Sequence, residues 1–390
     1  MSGRDPFRQP RRGRAGAALT LVFASVLVAG AATGSLPGHD DRKSQAREAG
    51  SAVPVGRPEE VTRAAAEAMA VGESPMQAAA RAVSRSGDRW GAVYSRGEYE
   101  EFQEALDGQY TGVGLSTRRR RDGRVEVAKV RAGSPAAAAG IRRGDRLRSI
   151  DGERTDGLPV TDVVALLRGD ADDAPAGTAV TLGLQRGKRA WTQTLRRARL
   201  STDPVTVRRP TGGVTVIKIA AFTKGVGDKV RTAVRRSPAV GGIVLDLRGN
   251  SGGLVTEAVT TASAFLDGGL VATYDVDGDQ RALHAGSGGD TIRPLVVLVD
   301  GGTMSAAELL TGALQDRGRA VVVGSRTFGK GSVQMPSRLP DGSVAELTVG
   351  HYRTPGGHAV DGHGITPDLD AGQDALRRAR TVLTGLGEAS

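Results

Sequence analysis

The sequence contains no cysteine and few aromatic residues. Its 390 residues include no Cys, and Phe, Trp and Tyr together make up only 3%. The absence of cysteine excludes disulfide bonds, thiolate metal sites and a lipid-anchored cysteine, although it does not assign a cellular compartment. Because aromatic residues are scarce, the hydrophobic cores have to be built from Ala, Val, Leu and Ile.

The composition is that of a soluble globular protein. Hydrophobic residues account for 39% and charged residues for 25%, and the length predicts two or three domains. The net charge of +10 is spread along the chain. The densest basic run, 118–121, precedes the turn signal Asp122-Gly123 between two apolar runs, so we interpret it as a solvated hairpin tip. No aromatic residues alternate with these arginines, which argues against a nucleic-acid partner.

The N-terminal segment predicts export. Five arginines before residue 15 precede an uncharged stretch, 15–32, in which Ala29-Gly30-Ala31 fits a small-residue cleavage site. We interpret 1–31 as a signal peptide. A retained anchor that attaches the protein to the membrane through 15–32 is the alternative, although that stretch is barely long enough to cross a bilayer. Either interpretation predicts an extracytoplasmic protein, with 32–56 as a flexible linker.

The period of the apolar residues divides the remaining chain into three segments. Apolar residues three and four apart run through 57–109 and predict a small helical cap. Short strands and turns follow in 110–197, with one short amphipathic helix at 160–167. In 198–390, wholly apolar strands alternate with amphipathic helices, among them one predicted at 254–266. This alternation predicts an α/β core with a mostly parallel sheet covered by helices.

Ser305 is the first candidate for chemistry. It lies in Gly301-Gly-Thr-Met-Ser-Ala-Ala-Glu308, where a buried strand is predicted to turn into a helix. Ser305 and Glu308 form a capping-box pattern, so a purely structural helix cap is one interpretation. A nucleophile is the other, because a helix N-terminus presents free N–H groups and partial positive charge to a developing oxyanion.

Lys330 is the second candidate, in Thr327-Phe-Gly-Lys-Gly-Ser-Val-Gln334. The glycines before it are similar to a phosphate-binding loop, but Gly331 stands where the magnesium-ligating Ser or Thr is needed, which excludes nucleotide binding. A solvated lysine on a tight turn is one alternative. To act as a base for a serine, the lysine has to be buried away from carboxylates, so that its pKa falls from about 10.4 to about 7–8. Gln334 suits a neutral partner of such an amine.

Two other patterns are less favourable. The loop Gly249-Asn-Ser251-Gly-Gly253 is similar to the nucleophile loop of chymotrypsin-like proteases, but the only histidine before it is His39, in the linker. We therefore interpret this loop as a set of backbone donors at the end of a strand. The histidines near the C-terminus lack helical i, i+4 spacing, so we predict no metal and no cofactor; they are His351, His358 and His363.

The segment 110–197 resembles a PDZ domain. The resemblance depends on Gly133-Ser-Pro-Ala136, Gly140-Ile-Arg-Arg-Gly-Asp-Arg-Leu147 and Ile150-Asp-Gly152. PDZ domains bind the C-terminal carboxylate of a peptide, which they add as a strand to the edge of a sheet. The loop Gly112-Val113-Gly114-Leu115 lies in the carboxylate-binding position, where successive backbone N–H groups can hold an anion.

Three motifs together resemble the C-terminal processing (tail-specific) proteases. They are Asp246-Leu-Arg-Gly-Asn-Ser-Gly-Gly253 and the segments that contain Ser305 and Lys330, which are 25 residues apart, as in that family. In the family a helical segment, a PDZ domain and a serine–lysine protease core follow in this order, so the resemblance runs from about residue 60 to 372. It implies a core of the crotonase/Clp-protease-like kind.

By motif position, the resemblance implies Ser305 as nucleophile, Lys330 as general base and Gln334 as the residue that orients the lysine. The backbone N–H groups implied in the oxyanion hole are those of Ala306 and of Gly252 or Gly253. One local departure concerns Met304 and Ala307, which stand where the family usually has a small residue and often a serine; neither removes a catalytic group.

The resemblance implies an exported serine endopeptidase. It would recognise the free C-terminal tails of proteins through its PDZ domain and cleave them by hydrolysis of an acyl-enzyme. The alternative is a catalytically idle PDZ scaffold that binds peptide C-termini. The sequence does not predict the natural substrate, the cleavage-site preference or the oligomeric state.

Overall fold

The computed structural model describes residues 58–169, 174–210, 213–238, 241–276, 279–372 and 374–388. The predicted signal peptide or anchor and the predicted linker lie outside these residues. Within the described ranges, no helix combines the length and the hydrophobicity needed to cross a membrane.

The N-terminal segment is helical, as its periodicity predicts, and adds one strand. Its elements are α1 (Pro58–Ala70), α2 (Pro75–Ser86), β1 (Ala92–Tyr94) and α3 (Arg96–Leu106). Ser74 and Ser95 cap α2 and α3 by accepting backbone N–H groups of the first turn. The buried face of α1 and α2 packs on Leu339, Ala345 and Leu347. The helical segment therefore covers part of the C-terminal region.

The next segment is a small antiparallel sheet with two short helices. Its elements are β2 (Gln109–Gly112), β3 (Leu115–Arg119), β4 (Val125–Val130), α4 (Pro135–Ala138), β5 (Arg146–Ile150), β6 (Glu153–Arg154), α5 (Val160–Arg168), β7 (Ala179–Arg186), β8 (Arg189–Arg196) and β9 (Ala198–Ser201). The strand order is β3-β4-β5-β7-β8, with β6 beside β5, and β2 pairs separately with β9. The predicted hairpin tip at 118–121 leads from β3 into β4.

The C-terminal region contains the remaining elements. They are β10 (Val205–Arg208), β11 (Thr215–Ile219), α6 (Val226–Arg235), β12 (Ile243–Asp246), α7 (Val255–Ala262), β13 (Leu270–Val276), β14 (Asp279–His284), β15 (Leu295–Val299), α8 (Ala306–Asp316), β16 (Val321–Gly324), β17 (Ser332–Arg338), β18 (Val344–Arg353), β19 (Leu369–Asp370) and α9 (Ala375–Glu388).

The predicted mostly parallel sheet is confirmed. Its order is β10-β11-β12-β15-β16-β19, and only β10 runs antiparallel to its neighbour. Helices α6, α7 and α8 contribute to the core on one face, and α9 packs on the other through Ala375, Ala379 and Leu383. Because both faces are covered, the central strand β15 is buried at all five positions.

Two features differ from the sequence prediction. Helix α7 ends at Ala262, not at Leu266, because Ser263 caps it and its hydroxyl accepts the N–H of Gly286 at 2.9 Å, which turns the chain. The region also contains a second, antiparallel sheet that was not predicted, in which β18 pairs with β1, β13 and β17. Its central strand β18 carries buried polar residues, so its pattern is not that of an apolar core strand.

Candidate active site

Ser305 lies in a strained turn that joins β15 to α8. Its backbone has φ 55° and ψ −119°, and among the described residues only Ser305 and Asp151 combine a positive φ with a side chain. This conformation costs free energy for a residue with a Cβ atom and is typical of functional turns. The side chain of Ser305 is fully buried at the N-terminus of the helix.

Ser305 and Glu308 occupy the predicted capping-box positions. The Glu308 Oε2 atom accepts the N–H of Ser305 at 2.8 Å. The N–H of Glu308 donates to the backbone carbonyl of Ser305 at 2.8 Å, whereas the serine Oγ makes no hydrogen bond within the described residues. The hydroxyl that the chemistry needs is therefore not occupied by helix capping.

The carboxylate of Glu308 joins the serine turn to the lysine loop. Besides Ser305, its oxygens accept the hydroxyl of Thr327 at 2.5 Å, the N–H of Gly329 at 2.7 Å and the N–H of Lys330 at 2.8 Å. Burial raises the pKa of Glu308, while these four donors lower it. A single buried carboxylate therefore holds both candidate residues by their backbones.

Tyr352 makes a second connection between the same two segments. Its buried hydroxyl lies 2.9 Å from the carbonyl oxygen of Ser305 and 3.1 Å from that of Lys330. Its backbone N–H donates to the carbonyl of Gly331 at 2.8 Å. The strand β18 thus fixes the relative position of the serine and lysine backbones through the Tyr352 side chain.

The amine of Lys330 is kept away from water. The residue is 1% exposed, and burial lowers its pKa to about 8. Four carboxylates oppose this effect and raise the pKa; they belong to Glu346, Asp88, Asp361 and Glu308. The expectation that the lysine lies away from carboxylates is therefore wrong, because β18 and the N-terminal segment bring acidic side chains to it. Desolvation is nevertheless the larger effect.

The N-terminal segment supplies one wall of the lysine pocket. The Lys330 Nζ atom lies 4.9 Å from the centre of the Trp90 ring. The side-chain amide of Gln334 donates to the carbonyl of Trp90 at 2.9 Å. Its Oε1 atom is buried and has no hydrogen-bond partner in the described part of the chain. This oxygen is therefore available to accept a hydrogen bond from an amine.

The candidate oxyanion donors lie beside the serine. Ala306 is the first residue of α8, so its N–H has no partner within the helix. A Cβ atom placed on Gly252, at φ 99°, would lie 2.9 Å from the Ser305 Cβ and 3.3 Å from the Ala306 nitrogen. The Gly252 N–H, however, donates to the Asn250 Oδ1 at 2.9 Å. The neighbouring Gly253 forms a bridge with Phe222, so the choice between the two glycines stays open.

The candidate peptide-binding loop joins β2 to β3. Val113 is buried and its carbonyl accepts the N–H of Ala136, and the carbonyl of Gly114 accepts the N–H of Arg131. Gly114 has φ 81°, and a Cβ atom there would lie 2.2 Å from the Cβ of Ser134. Only glycine fits this position, which holds the loop from 112 to 115 against the start of α4.

Several residues of this site escaped the sequence reasoning. Trp90 and Asp88 lie more than 200 positions from Lys330, and Tyr352 and Glu346 lie on a strand that was not predicted. One signal was present. Residues 344–352 read Val-Ala-Glu-Leu-Thr-Val-Gly-His-Tyr, and an acidic residue in such an apolar run indicates a buried polar group with a function.

Comparison with known proteins gives matches along most of the chain. The family model for peptidase family S41 matches residues 213–371, and the one for the PDZ domain matches residues 126–186. Carboxyl-terminal-processing peptidase 2, chloroplastic, of Arabidopsis thaliana is 35% identical over 327 residues, which cover 77% of this chain and 61% of that protein. A carboxyl-terminal-processing protease of Synechocystis sp. is 36% identical over 281 residues, covering 70% of this chain and 65% of that protein.

A solved structure shows the same relationship. The photosystem II D1 C-terminal processing protease is 30% identical, with a TM-score of 0.50, over 80% of this chain and 86% of that one. The chain spans about three fifths of the length of the Arabidopsis relative, 61%.

Proposed function

This chain belongs to peptidase family S41, the family of the carboxyl-terminal-processing peptidases, and we propose that it is a serine endopeptidase with a Ser305–Lys330 dyad. The observation that carries the proposal is a buried lysine, with a pKa of about 8, tied by its backbone to a strained serine at a helix N-terminus. An amine with such a pKa is partly neutral at ordinary pH, and a neutral amine can deprotonate a serine hydroxyl.

In the proposed reaction, the Oγ of Ser305 attacks the carbonyl carbon of the scissile peptide bond. Lys330 accepts the hydroxyl proton and then donates it to the leaving nitrogen. This breaks the peptide bond and leaves an acyl-enzyme ester. A water molecule, deprotonated by Lys330, attacks the ester, and the proton returns to Ser305 as the new carboxylate leaves.

Two sets of neutral groups assist these steps. The backbone N–H of Ala306, with that of Gly252 or Gly253, stabilises the negative oxygen of each tetrahedral intermediate. In the proposed reaction the Oε1 atom of Gln334, which has no partner among the described residues in this conformation, accepts a hydrogen bond from the lysine amine and orients it. Because an amide carries no net charge, it orients the amine without the strong stabilisation of the ammonium that a carboxylate would provide.

The substrate class is the C-terminal tail of a protein. The match to a PDZ domain at 126–186 supports this assignment, since PDZ domains hold a C-terminal carboxylate at the edge of a sheet. The tail would bind beside β3, with its carboxylate at the loop Gly112–Leu115. The basic and apolar N-terminal stretch supports export of the protein, as a secreted or a membrane-attached enzyme.

The test is cleavage by the purified full chain of an unstructured polypeptide with an apolar, free C-terminus. We expect fragments, identified by mass spectrometry, that disappear with Ser305→Ala and with Lys330→Met. The exposed Ser287 offers a matched control, because Ser287→Ala makes the same chemical change outside the site. Cleavage that persists in Ser305→Ala contradicts the assignment of the nucleophile.

A second candidate function has one observation in its favour. Because the Ser305 Oγ makes no hydrogen bond in the described part of the chain, the serine is not hydrogen-bonded to the lysine amine in this conformation. This arrangement also fits an idle PDZ scaffold that binds peptide tails without cleaving them. A fluorophosphonate probe that labels Ser305 in the parent, and not in Lys330→Met, supports the endopeptidase; tail binding without labelling or cleavage supports the scaffold.

A further inference from the structure

We infer that Glu346 is a positioning residue of the reaction, whose buried carboxylate controls the protonation of Lys330. The inference rests on the proposed function, in which Lys330 acts as the base. It depends on three features of Glu346: its place on β18, its lack of hydrogen-bond partners and its position among the groups that face the lysine.

The sheet directs Glu346 towards the lysine pocket. In the β17–β18 ladder, Glu346 is opposite Pro336, and Thr348 is opposite Gln334. Because side chains alternate along a strand, Glu346, Thr348 and Gln334 share one face of this sheet. The strand β1 borders the same position on the other side, with Ala92 opposite Glu346. Glu346 is fully buried there.

The carboxylate of Glu346 is poorly supplied with hydrogen-bond donors. Neither of its carboxylate oxygens makes a hydrogen bond within the described residues. A buried carboxylate in this situation is costly to ionise, because nothing replaces the water that it has lost. The phenol of Tyr99 favours its ionised form, and the cation that it faces, the Lys330 ammonium, stabilises its charge more strongly.

The other carboxylates near the lysine are differently placed. Asp88 accepts the N–H groups of Trp90 and Gly91 together with the N–H and hydroxyl of Thr348. Glu308 accepts the four donors described above. Asp361 accepts the N–H of Gly331 and lies 3.6 Å from the guanidinium of Arg89. Each of these three therefore has partners other than the lysine.

The two groups consequently titrate as a pair. Burial raises the pKa of Glu346 to about 7, and the lysine charge opposes this rise. Burial lowers the pKa of Lys330 to about 8, and the Glu346 charge is the largest effect that opposes the fall. Below about pH 7 Glu346 is neutral and does not affect the amine. Above that pH it is ionised, favours the ammonium and extends the titration of Lys330 to higher pH.

Other titratable groups face this pair. The phenols of Tyr94 and Tyr99 face Glu346 from β1 and α3, and both have a raised pKa, so they are neutral where the pair titrates. Arg338 of β17 faces Tyr99. Asp88, Asp361 and Glu308 face Lys330.

The same carboxylate acts in the reaction. When Lys330 takes the proton of Ser305, an ammonium forms inside the protein, and an ionised Glu346 stabilises it. Glu346 therefore reduces the fraction of neutral amine in the resting enzyme, and it assists the proton transfer once the amine is neutral. Removal of the Glu346 charge should therefore raise the fraction of neutral amine in the resting enzyme and slow the proton transfer from Ser305.

The test is a direct titration of Lys330 in the full chain, labelled with 13C at lysine Cε. The sequence contains only seven lysines, and the five described ones other than Lys330 are exposed. Lys330 can therefore be assigned by the signal that Lys330→Met removes. We expect the parent curve to be broader than that of a single site, spanning more than about 2 pH units, because the pair is coupled.

The variant Glu346→Gln keeps the shape of the side chain and removes its charge. We expect a one-proton curve with its midpoint about 0.5–1 pH unit lower, which merges with the parent curve below about pH 7. Glu346→Asp keeps the carboxylate and should keep the broad curve. The matched control is Glu100→Gln on α3, the same substitution at an exposed residue paired with Arg96, and it should leave the curve unchanged.

A parent curve with the width of a single site overturns the inference, even if Glu346→Gln does not fold. A Glu346→Gln midpoint that is unchanged or higher also overturns it. Cleavage provides the second measurement: we expect kcat of Glu346→Gln to reach its plateau at lower pH, and that plateau to be lower than in the parent. If the parent cleaves nothing at any pH, the proposed function fails, while the lysine titration still decides the role of Glu346.

Discussion

Removal of one hydroxyl, in Tyr352→Phe, should both destabilise the fold and slow cleavage. The hydroxyl contacts the carbonyls of Ser305 and Lys330 at 2.9 and 3.1 Å, and it is the side-chain group that touches both backbones from β18. Phenylalanine fills the same space, so little cavity forms. The substitution removes a polar partner and leaves two buried carbonyls less satisfied.

The size of the effect follows from these contacts. A buried polar group that loses its partner costs about 1–3 kcal/mol. For a region of roughly 150–250 residues, this corresponds to a fall in Tm of about 2–12 °C. The effect on catalysis has a different origin. Without the hydroxyl, the serine turn and the lysine loop lose one of their connections and keep the Glu308 carboxylate and the hydrogen bond from the Phe328 N–H to the Thr303 carbonyl. Small misplacements of reacting groups reduce rates by roughly tenfold or more.

The assay compares Tyr352→Phe with Tyr274→Phe. Tyr274 is directly opposite Tyr352 in the β13–β18 ladder and is also buried, but its hydroxyl makes no hydrogen bond to any described residue. Thermal unfolding and the kcat of peptide cleavage are measured for both. We expect Tyr352→Phe to lower both Tm and kcat. Tyr274→Phe should change Tm by about 1 °C or less and leave kcat unchanged.

Equal behaviour of the two variants would refute the reasoning, because both remove a hydroxyl from a buried tyrosine and only that of Tyr352 is hydrogen-bonded to the serine and lysine segments. A loss of Tm without a loss of kcat would show that Tyr352 stabilises the fold and that the remaining contacts are enough to position Ser305 and Lys330.

Four further predictions concern the same site. Cleavage should rise with pH through about 8, since the neutral amine of Lys330 is the base and is lost as pH falls; a flat kcat from pH 6 to 9 contradicts this. Gln334→Glu should move the rise of kcat with pH to higher pH by about 1 unit or more, because a carboxylate stabilises the Lys330 ammonium. A shift to lower pH contradicts the proposed contact between residue 334 and the amine. Glu308→Gln should reduce the kcat of the folded protein at least about tenfold. The amide N–H₂ of glutamine is a donor and cannot accept a hydrogen bond from donors such as the N–H of Ser305. An unchanged kcat contradicts the role of Glu308 in joining the serine turn to the lysine loop. Gly252→Ala should abolish labelling by a fluorophosphonate probe, because its Cβ would lie 2.9 Å from that of Ser305 at a φ of 99°; normal labelling contradicts this contact.

The parallel sheet could be predicted from the sequence because its signals are local. Wholly apolar runs such as 295–299 form buried strands, and this run is the whole of β15. The two candidate positions for the proposed dyad were also visible, because Ser305 and Lys330 lie between small residues beside such strands. Backbone geometry was not visible. No composition or spacing indicates that Ser305 has a φ of 55°, since one of the groups that hold this turn, the Tyr352 hydroxyl, lies 47 positions along the chain.

The environment of the lysine could not be predicted, for a related reason. Whether an amine is neutral depends on everything packed around it, and here that includes Trp90 and Asp88 from a segment more than 200 residues away. The prediction that Lys330 avoids carboxylates was wrong because it considered only neighbours in sequence. Glu346 belongs to β18, whose mixture of apolar and buried polar residues did not fit either strand pattern.

The N-terminal helical segment is therefore part of the lysine pocket and not only a cover. Its helices pack on Leu339, Ala345 and Leu347, which fixes β1 against β18. This contact brings the ring of Trp90 to the Lys330 amine and its carbonyl to Gln334. Burial is the largest cause of the lowered pKa of Lys330, and a fall from 10.5 to about 8 corresponds to about 3 kcal/mol. The pKa that the proposed base needs therefore depends on this packing. Ser305 is held by the C-terminal core, whereas the pKa of Lys330 depends also on the N-terminal helical segment.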